Sequence, residues 1–496
     1  MAAPSVSGGM MRRKKTNRLR AALGTAVLAG MMMFAVPSAS GQGVELDLSL
    51  PDMGNPSSQA LPAGEAARIG LEMMREIRQE VDLVDDPAVN AYIRDLGARI
   101  AAATDTPAAA YRFFVVDDPR INAFAMPGGY IGVHSGLITA SRNESELGSV
   151  IAHELSHVTQ RHIARRIAAA EQTGLRTAAM VLAGLVIGSQ HPQAGAAAVT
   201  TGMASGVDSQ LAYSRDHERE ADRTGIRILA RANLDPTGMA DFFEVLQADN
   251  RYRSRAPAFL STHPLTRARI ADTRSMAREL KPESVFESPD YGYARARLQV
   301  AAASHPEDAV DDFRARIEAD DAPARRYGLA IALIADDAPE QAADLLESLL
   351  DDAGAHDLIY VGLAEAALAE DRIDRALARI DDGLSLFPDS TGLQVGRVEA
   401  LLQADRARDA LASTRDLTHQ QPDAPGIWQL HARAASAAND PDESALAMAR
   451  YYAAQGDLQA GLSQLRRISE ISATPRQRAR AEALRSRWEA SLTRTG

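Results

Sequence analysis

The chain has 496 residues, a net charge of −12 and no cysteine. Its length is enough for two or three domains with separate cores. The absence of cysteine excludes disulfide bonds, thiolate metal sites, a cysteine nucleophile and lipidation on cysteine. Residues 301–400 include 23 acidic and 8 basic side chains, and such a surface repels the phosphates of nucleic acids. We therefore expect no nucleic-acid partner.

The first forty residues have the order of a secretory signal peptide. A basic block between Arg12 and Arg20 precedes an apolar run from Ala21 to Val36, and small residues follow. A membrane anchor is the alternative, but the run is shorter than the ~20 residues that span a bilayer. We expect residues 1–40 to be cleaved and residues 41–60, rich in proline and glycine, to form a linker. Export across the inner of two membranes would place the mature protein in the periplasm.

The next part of the chain mixes helical and extended patterns. Apolar residues at spacings of four predict helix from Leu61 to about Thr104. Aromatic and β-branched residues predict strands at Tyr111–Val116 and Ile121–Val133. A helix is predicted to begin at a capping residue, Asn143, and to continue to about Ala170.

Residues 153–157 read His-Glu-Leu-Ser-His, an HExxH motif. On a helix His153 and His157 lie on one face, one turn apart, so both imidazoles can reach one zinc ion. Glu154 is rotated by about 100° and can instead accept a proton from a water beside the metal. The alternative is a surface helix with two solvated histidines.

A third ligand must come from elsewhere, because catalytic zinc usually has three protein ligands and one open position. After a predicted excursion over 171–212, a helix from Arg215 carries Glu218, Glu220 and Asp222. The first and last are four apart and share a face, so one can bind zinc while the other orients a ligand histidine. Spacing alone leaves Glu220 open.

Glycines interrupt the strand predicted over 121–133. Gly128 and Gly129 indicate a bulge or a close approach of another backbone. Beside a peptidase centre, this stretch, including Asn122, is predicted to be an edge to which a substrate adds as an extra strand.

Three further histidines lie near these motifs. His263 precedes a proline, and it is either a local loop residue or a fourth, removable zinc ligand that would hold the enzyme idle. We interpret His162 and His217 as surface residues.

The second half of the chain repeats with a period of 34 residues. Glycine, alanine and aspartate recur at fixed places in predicted helix pairs, as at Ala332, Ala366, Ala400 and Ala434. This is typical of tetratricopeptide (TPR) repeats, with a generic alanine-rich bundle as the alternative. Four to five repeats are predicted over residues 290–490, after a peptidase domain at 61–285.

The HExxH motif, followed after 64 residues by Glu218 and Asp222 in the pattern ExEAD, resembles the Ste-twenty-four/HtpX/Oma1 group of zinc metallopeptidases. The segment Asn122–Gly129 and Thr262-His263-Pro264 resemble the group as well. The resemblance implies that Glu218 is the third zinc ligand and that Asp222 orients a ligand histidine.

The predicted fold is α+β and predominantly helical, a zincin-like domain with a small sheet followed by a helical TPR array. The predicted function is zinc-dependent endopeptidase activity in the cell envelope, with one zinc per chain, on misfolded or stalled exported proteins. Resemblance to periplasmic group members with TPR repeats implies outer-membrane β-barrel proteins as substrates and their assembly machinery as partner. The alternative is a TPR chaperone or adaptor with a vestigial metal site.

Overall fold

A computed structural model describes residues 61–169, 215–252, 257–280, 282, 284–471 and 474–495. The predicted signal peptide, the linker and the whole 171–212 excursion lie outside these residues. All described residues belong to one structural unit, Gly54–Gly496. No helix within these ranges combines the length and the apolar character needed to cross a membrane.

Two helices, α1 (Ala63–Glu80) and α2 (Pro87–Ala102), replace the single helical stretch predicted at the start of the domain. Between them Leu83 pairs with Val116 of the sheet, which extends the backbone and ends α1. Asp86 then caps α2, because its carboxylate accepts hydrogen bonds from two amides of the first turn.

The sheet has three strands, β1 (Arg112–Val116), β2 (Ala123–Met126) and β3 (Tyr130–His134), in the order β1-β3-β2. β1 runs parallel to β3, and β2 runs antiparallel to it. The predicted strand over 121–133 is therefore a hairpin, in which β2 and β3 are joined by a tight turn at Pro127–Gly129.

Seven helices pack around this sheet and position the site. They are α3 (Ser135–Ala140), α4 (Glu144–Thr159), α5 (His162–Ala169), α6 (Arg215–Arg231), α7 (Gly238–Tyr252), α8 (Ala258–Thr262) and α9 (Arg267–Glu279). Asn143 caps α4 as predicted, since its side chain accepts from the amide of Glu146 at 2.9 Å. The helix predicted to run to Ala170 ends at Thr159, and α5 starts in a new direction after Arg161, whose φ is 54°.

Twelve helices follow in the described part of the second half of the chain. They are α10 (Asp290–Ala301), α11 (Pro306–Ala319), α12 (Pro323–Ala335), α13 (Pro339–Ala353), α14 (Asp357–Ala369), α15 (Ile373–Leu386), α16 (Thr391–Gln403), α17 (Ala407–Gln420), α18 (Pro425–Ala437), α19 (Pro441–Ala454), α20 (Leu458–Ile471) and α21 (Pro475–Thr495).

The 34-residue period corresponds to helix pairs. The periodic alanines of the first helix in each pair have no exposed surface, which lets the helices approach closely: Ala332, Ala366, Ala400 and Ala434. Each of these helices is followed by a residue with φ of 57° to 59°: Asp337, Asp371, Asp405 and Asn439. Asp and Asn tolerate this left-handed conformation better than most residues. The predicted α+β fold, with a small sheet and a TPR array, is confirmed.

α10 contributes to two cores. Tyr291, Ala294 and Leu298 pack with the peptidase-side helices and sheet, whereas Tyr293 and Ala296 pack with the array. The boundary predicted between residues 285 and 290 therefore precedes a helix that both regions share.

Candidate metal centre

α4 presents His153 and His157 from adjacent turns of one buried face. Their side chains are 2% and 0% exposed, and their Nε2 atoms are 3.0 Å apart. The i, i+4 spacing aligns the rings, and burial of α4 between the sheet and α6 excludes water from them. Both histidines therefore aim at one point.

Two more donors meet at this point. Oε1 of Glu218, on α6, lies 3.5 Å from Nε2 of His157. His263 follows the last residue of α8, and its Nδ1 lies 3.3 Å from Nε2 of His153 and 3.0 Å from Oε1 of Glu218. The structure thus brings together the three predicted ligands and His263, with all four donor atoms within 4.8 Å of one another.

This donor set fits a four-coordinate metal ion. Tetrahedral ligands at about 2.0–2.2 Å from an ion lie about 3.3–3.6 Å apart, and four of the donor pairs here are separated by 3.0 to 3.5 Å. Burial lowers the pKa of His153, but its hydrogen bonds to Asp222 and Glu218 outweigh burial and raise that pKa to about 9. The neighbouring carboxylates thus favour a cation beside His153, which can be a proton or a metal ion.

Asp222 and Arg269 contact the candidate metal ligands on the side away from the point where the four donor atoms meet. Oδ1 of Asp222 lies 3.1 Å from Nδ1 of His153, as expected of a carboxylate that orients a ligand histidine. Arg269 is 4% exposed, donates to both oxygens of Asp222 at 2.8 and 2.7 Å, and lies 2.7 Å from Oε2 of Glu218. It also donates to the carbonyl of Pro264 at 2.8 Å. Arg269 was not among the predicted site residues, and its only signal in the sequence is its place six residues after the fourth donor.

Glu154 lies beside the donors without joining them. Its side chain is 1% exposed, and Oε1 is 3.4 Å from Nε2 of His263. Burial raises the pKa of Glu154, while His263, His153 and the backbone amide of Ala125 on β2 oppose the shift. A carboxylate with a raised pKa is a better proton acceptor near neutral pH.

The interpretation of His162 as a surface residue is wrong. Arg161 turns the chain back after α4, so His162 is 0% exposed, and its Nδ1 is 2.8 Å from Nδ1 of His157. Glu220 is not among the four donors but lies 3.2 Å from Nε2 of His162. His217 is half-buried and stacks on His162. The sequence signal that was available is a histidine five residues after the HExxH motif.

The residues predicted to form a substrate edge lie at the ends of β2. The carbonyl of Asn122 accepts from the amide of His134, which extends the pairing of β2 with β3. Gly128 and Gly129 occupy the turn with φ of 80° and 81°, and a Cβ on Gly129 would lie 2.2 Å from the carbonyl oxygen of Ala110. The glycines thus fit the turn against the chain's own backbone, and the strand edge near Glu154 is β2 itself.

Comparison with known proteins agrees with this arrangement. Residues 87–277 match the model of peptidase family M48, and residues 367–434 match a tetratricopeptide repeat model. The first match includes all four donors and Glu154. Residues 87–277 thus form a metallopeptidase domain of this family.

Proteins named beta-barrel assembly-enhancing protease are similar over a longer region. The Escherichia coli protein of this name is 39% identical over 249 residues, which cover 50% of this chain and 51% of that protein. A Vibrio cholerae homologue with the same name is 38% identical over 309 residues, which cover 62% of this chain and 64% of that protein.

The match to a mitochondrial metalloendopeptidase OMA1 of Schizosaccharomyces pombe is 30% identical over 183 residues, covering 36% of this chain and 50% of that protein. The chain thus spans between about half and just under two thirds of the length of these relatives. The chain is thus similar to the beta-barrel assembly-enhancing proteases, with a region that matches peptidase family M48 followed by one that matches tetratricopeptide repeats.

Proposed function

We propose that the protein is a zinc-dependent endopeptidase of the periplasm that degrades misfolded or stalled exported proteins. The observation that carries the proposal is the cluster of three imidazoles and one carboxylate with Glu154 beside it. Imidazole and carboxylate donors in a small tetrahedral set suit zinc.

His153, His157 and Glu218 would hold the metal ion, which supplies Lewis acidity toward a peptide carbonyl and acidifies water. Glu154 accepts the proton of the attacking water and returns it to the leaving amine. Asp222 fixes the ring of His153 through Nδ1.

A substrate would bind as an extended strand on β2. Within the described residues β2 pairs only with β3, so its other edge can pair with a peptide. Burial raises the pKa of Glu154 and the backbone amide of Ala125 on β2 opposes this rise, which supports a position of this edge close to the proton acceptor. The scissile bond of a peptide on β2 would thus lie close to Glu154.

His263 would restrain the enzyme. Its Nδ1 takes the fourth donor position, where a substrate or water must bind. Its Nε2 faces Glu154 at 3.4 Å, so one side chain blocks both the open position and the proton acceptor. Activity then requires His263 to move away, and substrate binding is the favoured trigger.

The names of the relatives support a role for this protein in outer-membrane β-barrel assembly. We infer that the favoured substrates are unfolded or misassembled β-barrel proteins and that the TPR array contacts the assembly machinery. TPR arrays present extended surfaces for protein partners. The rival function is a TPR chaperone or adaptor with a vestigial metal site, which the intact donor set disfavours.

The test compares metal content and casein cleavage in wild-type protein, Glu154→Gln and His157→Ala. Wild-type protein should contain one zinc per chain and should lose activity with a chelator. Glu154→Gln keeps the shape of the side chain but removes the proton acceptor, so zinc should remain while activity falls by at least ~10²-fold. His157→Ala should lose both.

Full activity in Glu154→Gln would contradict the assignment of the proton acceptor. Full zinc occupancy in His157→Ala would contradict the metal site. Wild-type protein that binds zinc but cleaves neither casein nor an unfolded β-barrel protein would favour the chaperone function. If cleavage is seen, exported β-barrel proteins should copurify with the inactive Glu154→Gln variant.

A further inference from the structure

Behind the metal centre, a hydrogen-bonded chain leads from His157 toward the surface. Nδ1 of His157 is 2.8 Å from Nδ1 of His162, and Nε2 of His162 is 3.2 Å from Oε2 of Glu220. Arg165 donates to the same oxygen of Glu220 at 2.8 Å. The first two side chains are fully buried, and Glu220 is 37% exposed.

The backbone is built to place His162 there. Arg161 has φ of 54°, a left-handed conformation that is unfavourable for a non-glycine residue. The helix is interrupted here between α4 and α5, and the first residue of α5 contacts the candidate ligand five positions before it. His217 then stacks on the ring of His162, with centroids 4.4 Å apart and planes within 17°.

The ring nitrogen that carries the proton in each histidine follows from the position of the four candidate metal-binding atoms. Nε2 of His157 faces the other three donors, and a nitrogen that binds a metal ion carries a lone pair rather than a proton. The proton of neutral His157 is then on Nδ1, which donates to Nδ1 of His162. His162 in turn carries its proton on Nε2, which donates to Glu220.

We propose that His162 is a positioning residue of the metal site, which fixes the ring and tautomer of His157 and relays to it the negative charge of Glu220. The proposal rests on the proposed function, because it assumes that His157 binds a metal ion. The two ligand histidines are then supported differently. Asp222 contacts His153 directly, whereas Glu220 acts on His157 through a second imidazole.

The test measures zinc affinity by competition with a chelator in His162→Leu and His162→Asn. Leucine fills the space but cannot accept a hydrogen bond, so zinc affinity should fall by about 10- to 100-fold. Asparagine places its carbonyl oxygen where Nδ1 of histidine lies and can still accept from His157, so its loss should be only a few-fold. The melting temperature of each metal-free variant, measured alongside, reports structural damage.

A second pair of variants avoids the buried core. Glu220→Ala removes the final acceptor and should weaken zinc binding by a few-fold, whereas Glu220→Gln retains an acceptor oxygen and should bind zinc more tightly than Glu220→Ala. Asp216→Ala, on the same helix and 93% exposed, is the control and should leave zinc affinity unchanged.

Equal zinc affinity in wild-type protein and folded His162→Leu would overturn the inference and leave the proposed function intact. So would equal losses in His162→Leu and His162→Asn, since an acceptor would then make no difference. If His162→Leu fails to fold, equal affinities in wild-type protein and Glu220→Ala overturn the inference. Wild-type protein that binds no zinc would overturn both the inference and the proposed function.

Discussion

The metal centre buries mainly polar and charged side chains, and the repeat array buries mainly apolar ones. The centre encloses three histidines and two glutamates that are almost completely buried. A cation there would compensate the negative charge of the carboxylates. The array instead buries alanine, leucine and aromatic side chains, whose packing needs no ligand. The stability of the centre should therefore depend on metal, whereas that of the array should depend on its helix contacts.

The two regions meet at Arg297, a charged residue that is mostly buried although it lies next to the apolar core of the array. Arg297, on α10, contacts Asp86 at 2.6 Å, Tyr327 at 2.9 Å and Glu365 at 2.8 Å. Asp86 caps a helix of the peptidase domain, and the other two contacts belong to the array. The array is thus fastened to the peptidase domain by a largely buried ionic network.

The largest effect on stability is expected from Arg297→Met. This change leaves Asp86 and Glu365 without their shared partner, and unpaired buried charge is costly. We expect a loss of about 2–4 kcal/mol in the free energy of unfolding, below the range for fully buried pairs because Glu365 is 35% exposed. Calorimetry should show two separate transitions for this variant and one for wild-type protein.

Arg433→Met is the matched control within the array. Arg433 pairs with Glu399 at 2.7 Å, but both side chains are at least 40% exposed, so the loss should be about 0–1 kcal/mol. Similar losses in the two variants would mean that the junction is no stronger than a surface pair.

A smaller effect, on rate, is expected from His263→Ala. If the state with His263 on the donors is favoured about tenfold over the open state, its removal should raise basal proteolysis about tenfold. Zinc content should not decrease, because three ligands remain. Casein cleavage and self-cleavage without added substrate measure the change.

His263→Phe separates restraint from packing. The ring of His263 stacks on Phe259 with centroids 4.5 Å apart, and phenylalanine keeps this contact but cannot bind metal. Both variants should be more active than wild-type protein. Unchanged or reduced activity in a correctly folded His263→Phe would support the local loop role instead.

The smallest effect is expected in a repeat turn. Asp371 has φ of 57°, which glycine adopts without strain, so Asp371→Gly should stabilise the protein by up to about 1 kcal/mol. Asp374, three residues later in the first turn of α15, is helical. Asp374→Gly should therefore destabilise by about 0.5–1 kcal/mol.

Chemical denaturation of both glycine variants measures this difference in sign. Destabilisation of similar size at both positions would show that the side chain of Asp371 matters more than its backbone conformation.

Sequence alone was most informative where a feature is local or repeats. The HExxH spacing, the cap at Asn143 and the 34-residue period each depend on residues close in the chain. They can therefore be recognised without knowledge of the fold. The choice of Glu218 as the candidate third ligand needed a family pattern, because three carboxylates shared the helix.

Features set by distant contacts were missed. The run from His157 to Ala169 has the composition of one continuous helix. Nothing local signals the break between the two helices at Arg161. Consequently the burial of His162 was not foreseen. Arg269 is an ordinary arginine in an exposed-looking helix until Asp222 and Glu218 are brought against it.

The shared helix α10 also bears on how such proteins change by recombination. An exchange of coding sequence just before residue 290 would set Tyr291 and Leu298 against a foreign peptidase core. An exchange just after residue 301 would instead set Tyr293 and Ala296 against foreign repeats. Either junction leaves one face of the helix mismatched, so the peptidase and its array should be inherited together.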